Sequence, residues 1–79
     1  MVCKESKGMM KEISTYWGSD EYKDRESIIY HDTKKEVYVV EFWQDQNLVE
    51  SRDMVDDGVK KSMRYAERAA ENWVLGYIA

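Results

Sequence analysis

The chain's single histidine, His31, stands next to Asp32, and these are the residue types of a general base and the carboxylate that orients it. Adjacent residues on a strand point to opposite faces, so the pair is badly placed to cooperate, and His31 reads as a surface histidine. The single cysteine, Cys3, would need a base and a rigid setting to act as a nucleophile. It lies in residues 1–10, which have no period and read as a flexible N-terminal tail, so it reads as a spectator thiol. Asp53, Asp56 and Asp57, with Glu50 nearby, are the kind of groups that hard cations prefer. The run lacks the alternating ligands and closing glutamate of a calcium loop, and helix capping accounts for it more simply. One histidine and one cysteine do not make a zinc site. There is no phosphate-binding loop and no serine-protease-like motif. The expectation is a protein that is not an enzyme and holds neither metal nor cofactor.

A second set of residues has the chemistry of binding. Tyr16, Trp17, Tyr30, Tyr38, Phe42 and Trp43 could stack on a nucleobase or pack on a partner. An RNA-binding sheet would flank such rings with lysine and arginine, and these segments do not. The net charge is −4, which repels phosphate backbones and makes nucleic acid an unlikely partner class. From Met54 onward four acids (Asp56, Asp57, Glu67, Glu71) balance four bases (Lys60, Lys61, Arg64, Arg68), so the whole excess lies in residues 1–53. An alternative use of the aromatics is a small-ligand module of nucleotide type. Tyr30 with Arg25 and Arg52 would then be the ligand contacts, assisted by Lys34 or Lys35, at an aromatic-lined dimer interface.

The elements that must position these residues follow from period and turn chemistry. Glu12 to Trp17 alternates, with Ile13, Thr15 and Trp17 on one side, and predicts a first strand ended by Gly18-Ser19-Asp20. Ser27 to His31 predicts a second strand, and Asp32 begins a turn in which it can bond nearby amides. Glu36 to Trp43 is the strongest strand signal, and Asp45-Gln46-Asn47 the next tight turn. Leu48 to Asp53 reads as a polar edge strand. The period then changes: Val55, Val59, Met63, Ala66, Ala70, Trp73 and Tyr77 recur at spacings of 4, 4, 3, 4, 3 and 4. That is one helix face, with Asp53, Asp56 and Asp57 as capping candidates and Gly76 as a stop. The fold class expected is α+β: an antiparallel three- to four-stranded meander and one C-terminal helix packed on it. Residues 11–79 form a single domain in this reading. No apolar run approaches the ~20 residues of a membrane span, and residues 1–10 lack the apolar core of a signal peptide. A cytoplasmic location is expected.

The central strand is apolar on both faces, with Tyr38, Val40 and Phe42 on one and Val37, Val39 and Trp43 on the other. One helix covers one face. A half-solvated antiparallel sheet would alternate apolar with polar residues, so the second face asks for a cover. The reading adopted is a homodimer, the commonest oligomer, with Tyr38, Val39, Trp43, Trp73 and Tyr77 as binding or interface residues. Residues 1–10 are the other source of a cover, and the helix stripe, whose spacing also suits a coiled coil, is the rival interface.

Three strands and an alanine-rich helix are similar in order to plant AP2-type DNA-binding domains. Those insert arginines and tryptophans from the sheet, whereas only Arg25 and Arg52 lie near these strands, and the match is set aside. The order Tyr38-Val39-Val40-Glu41-Phe42-Trp43-Gln44-Asp45, a polar strand, then Ala69-Ala70-Glu71-Asn72-Trp73-Val74-Leu75-Gly76 resembles small uncharacterised accessory proteins of marine T4-like cyanophages. The resemblance covers residues 27–78, departs from the pattern at the Asp45-Gln46-Asn47 turn, and transfers no site residue. It implies a phage origin and an accessory role in which the protein engages a host protein.

Overall fold

A computed structural model describes residues 10–77. Four antiparallel strands, β1 (Met10–Trp17), β2 (Arg25–Asp32), β3 (Val37–Gln44) and β4 (Asn47–Asp53), lie side by side in chain order. A small hairpin, β5 (Val55–Asp56) and β6 (Val59–Lys60), leads to one helix, α1 (Met63–Val74). The architecture is α+β, a meander with a C-terminal helix packed on it. The expected tail boundary shifts slightly, because Met10 already pairs with Asp32 in β1. Cys3 and the rest of residues 1–9 lie outside the described residues.

Turn chemistry sets the register. Asp32 accepts backbone N–H bonds from Lys34 and Lys35 through one oxygen, each at 3.0 Å, and so closes the β2–β3 turn. Asp45 and Gln46 both take positive φ, 53° and 65°, which turns β3 into β4 with a twist that matches the strands. One bulge interrupts β1 between Glu12 and Ser14, and another falls at Val49, near the start of β4. The first bulge moves Ile13 out of the row shared by Thr15 and Trp17, so Tyr16 faces the helix instead.

The start of the helix differs from expectation. Val55 and Val59 are exposed strand residues, and Asp56 and Asp57 cap nothing helical. Asp57 and Gly58, with φ of 53° and 76°, form the two-residue turn of the β5–β6 hairpin. Ser62 caps α1 by accepting the Tyr65 N–H. At the other end Gly76, at φ +83°, lets the chain reverse while Tyr77 donates its N–H to the Asn72 carbonyl. Tyr77 therefore lies past the helix and is exposed.

The stripe that remains does pack on the sheet. Ala66, Ala70, Trp73 and Val74 close over Ile29, Val40, Phe42 and Met54. Buried Ser27 donates its hydroxyl to the Ala70 carbonyl at 2.9 Å and ties strand to helix. The coiled-coil role is thereby excluded for these residues, because their apolar face is already covered by their own sheet. Tyr16 sits at the edge of this core; burial first, then Glu67 and Glu71, raise its phenol above the ordinary value. Among the described residues no helix is long and apolar enough to cross a membrane.

Two carboxylates link this fold to pH. The backbone bonds from Lys35 and Lys34 hold Asp32 below its usual range, and the hydrogen bond from Arg52 does the same for Glu50. A depressed carboxylate contributes stability above its unfolded value of about 4, and loses it as pH falls through the lower folded value. Thermal denaturation should therefore show a falling midpoint as pH drops below about 4. Asp32→Asn should flatten that fall, and an acid limb of unchanged slope in the variant would contradict the assignment.

Candidate functional site

The register sorts the strand side chains into two unlike faces. On the α1 side, the strand acids, bases and histidine are Lys11, Arg25, His31, Glu50 and Arg52. On the other face they are Glu12, Glu26, Asp32, Glu41 and Asp53, with no strand lysine or arginine among them. No described strand or helix packs on this second face. Lys35, from the β2–β3 turn, reaches Asp53 at 3.6 Å and offsets charge at that end alone.

The opposite end of the same face carries a continuous row. Trp17, Glu26, Trp43 and Leu48 stand directly across from one another on β1, β2, β3 and β4. Trp17 is 70% exposed and Leu48 49%. Trp43 is half-buried, and its Nε1 donates to the Glu41 carboxyl at 3.1 Å, which holds the indole along the strand. Toward the Asp53 end, beyond the intervening Thr15–Ile28–Glu41–Ser51 row, Tyr30, Val37 and Val39 make a second buried cluster with Met10 and Ile28 at its margin. Exposed rings beside carboxyl groups can cover apolar surface while pairing with lysine or arginine around it.

The residues singled out in the sequence fall into different surroundings. Val39 and Trp43 share the second face, as expected from their spacing. Tyr38 points the other way, its ring 5.1 Å from that of His31, so His31 and Asp32 lie on opposite faces. Trp73 is in the core, with its ring 5.3 Å from Phe42 and its Nε1 donating to the Trp43 carbonyl at 2.9 Å. Tyr77 is exposed beyond the helix and apart from both groups.

The three residues expected as ligand contacts, Tyr30, Arg25 and Arg52, are not brought together. Tyr30 belongs to the second face. Arg25 lies on the helix side, where its Nη1 donates to the Trp73 carbonyl at 3.0 Å and its guanidinium stacks 4.2 Å from that indole. This closes the helix C-terminus with a cation, a favourable arrangement for the helix dipole. Arg52 pairs with Glu50, Nε to Oε2 at 2.6 Å, and that pairing raises the guanidinium's affinity for its proton. Arg52 also lines an open groove of about 490 Å³ between β4, β5 and α1, together with Arg68, Tyr65, Asn72, Asp53 and Asp56. The acids there offset the arginines, so the groove does not have the cationic lining of a phosphate site. Among the described residues no three histidine, cysteine or carboxylate side chains gather as a metal site.

Comparison with protein-family models, curated proteins and solved structures gave no match.

Trp17, Glu26 and Leu48 are site residues that sequence reasoning does not assemble. Trp17 and Leu48 fall on expected strands and Glu26 just ahead of one, but their alignment in one row depends on three registers at once. The signal within reach is Trp17 itself, a large ring next to the Gly18 strand end, on a strand whose inward face is already supplied by Tyr16.

Proposed function

We propose that the chain is a phage-type accessory protein that acts by binding, without catalysis, as a homodimer in which the exposed Trp17–Leu48 end of the second sheet face engages a basic surface of a host protein. The observation that carries the reading is the Trp17–Glu26–Trp43–Leu48 row on a face whose strand charges are all acidic. Tryptophan is the residue type most enriched among binding hot spots, and carboxyl groups around it select a basic partner and speed the encounter. A surface of this kind also suits a protein that normally holds nucleic acid, whose phosphates the carboxyl groups would replace.

The test uses a lysate of a marine cyanobacterial host. Immobilised protein should retain a basic protein that high salt or added polyanion releases. Trp17→Ala should weaken that capture roughly tenfold or more. Because Trp17 is 70% exposed, the variant's melting temperature should stay within a few degrees of the parent. Equal capture by the variant and the parent would remove the row from the site, and capture indifferent to salt would remove the acidic face.

A further inference from the structure

β4 is an outer strand, and all of its seven residues are exposed. Among the described residues nothing pairs with its free side. An unpaired edge is a template for another strand. Its hydrogen-bond phase is set by Met54, whose backbone N–H reaches the Tyr38 carbonyl at 2.7 Å. Antiparallel pairs alternate, so Arg52 and Glu50 also turn their backbone groups toward β3, and Ser51 and Asp53 turn theirs outward.

We propose that this edge is occupied by β4 of a second copy, antiparallel, about a two-fold axis at Ser51. The proposal rests on the homodimeric reading above and gives that dimer an interface. After the bulge at Val49 the strand is regular from Glu50 to Asp53. Within that run the phase admits an axis at a residue, because outward groups then meet outward groups; an axis between residues sets outward against inward. Axes at Glu50, Arg52 or Asp53 each place a charge opposite its own copy. An axis at Ser51 places Ser51 against Ser51 and Glu50 against Arg52 of the other chain, twice.

Glu50 and Arg52 already bond within one chain, so the four side chains would alternate in sign around a square. Exposed ion pairs add little affinity. Their effect here is on register, since like charges directly opposite are penalised. The other outer strand offers no such selection: a bulge splits β1, and its longer regular run, Ser14 to Trp17, has no charged residue. A two-fold axis through a strand pair stands perpendicular to the sheet. Both helices would then lie on one side, and both second faces, with their tryptophan rows, on the other, so that the two rows are turned the same way.

Light scattering of the whole chain at micromolar concentration should give twice the 9.4 kDa mass. E50R and R52E should each weaken self-association roughly tenfold or more. An equimolar mixture of the two should recover a dimer, because the strand with two basic side chains meets the strand with two acidic ones. E50R/R52E should dimerise like the parent. If E50R stays as dimeric as the parent, or the folded single variants do not combine, the β4 edge is not the interface, although the homodimer stands. A parent chain that remains monomeric overturns both.

Discussion

Replacing Trp73 with alanine is expected to lower the melting temperature by more than about 10 °C and to remove a large share of the chain's stability. A domain of this size has a total stability of roughly 4–12 kcal/mol. Removing a buried indole costs about 3–5 kcal/mol in lost burial and cavity formation. Trp73 is 3% exposed, and its removal also strips three specific partners. Phe42 loses the ring 5.3 Å away, the Arg25 guanidinium loses the face 4.2 Å below it, and the Trp43 carbonyl loses its Nε1 donor. That last bond joins the end of β3 to the last turn of α1, so both elements lose their anchor together. Trp73→Phe keeps a ring and removes the N–H, and should cost about 1–2 kcal/mol. Urea denaturation followed by circular dichroism measures both. An alanine variant within about 1 kcal/mol of the parent would show that the helix is held elsewhere, most plainly by the Ser27–Ala70 bond.

Much of this fold is legible in the amino-acid sequence, and the reasons are local. Asp32 closes its turn through its own side chain, a bond that needs only the next three residues. The alternation of Tyr38, Val40 and Phe42 against Val37 and Val39 assigns the two faces of β3 without knowledge of its neighbours. Met63, Ala66, Ala70 and Trp73 keep one helical face whatever they pack against. The start of the helix is not readable from the stripe, because Val55 and Val59 continue its spacing by coincidence. Asp57-Gly58 is the competing signal: it asks for a two-residue hairpin turn, and Ser62 then supplies the cap. The bulge at Ile13 is equally silent in a single strand, since it is defined only against β2. The candidate site suffers most from such gaps. A row across four strands multiplies three registers, and an edge that could pair with a second copy depends on hydrogen-bond phase, which no residue type reports.

Val39→Asp distinguishes a residue that holds the subunit together from one that holds two subunits together. Its place on the second face of the central strand makes Val39 a candidate for the interface. In the folded chain it is 4% exposed, beside Val37 at 5% and Tyr30 at 7%. Its cross-strand neighbours on that face are Tyr30 and Asp53, and Glu41 lies two residues along the strand. A carboxylate placed there would be desolvated and set near other carboxyl groups, with no basic side chain among the strand residues of the face. Burying a charge without a partner costs several kcal/mol, enough to unfold a domain of this stability. The expected result is loss of the thermal transition at every protein concentration, because the defect lies within one chain. A mutation confined to an interface behaves differently: the subunit stays folded, and the apparent melting temperature depends on concentration. Val39→Thr, similar in shape but neutral, should lower stability by about 1–2 kcal/mol and leave the measured mass unchanged. If Val39→Asp instead gives a folded monomer from a dimeric parent, the second sheet face is the contact between copies. The β4 edge is then free, and the Trp17 row would lie between subunits instead of facing a host protein.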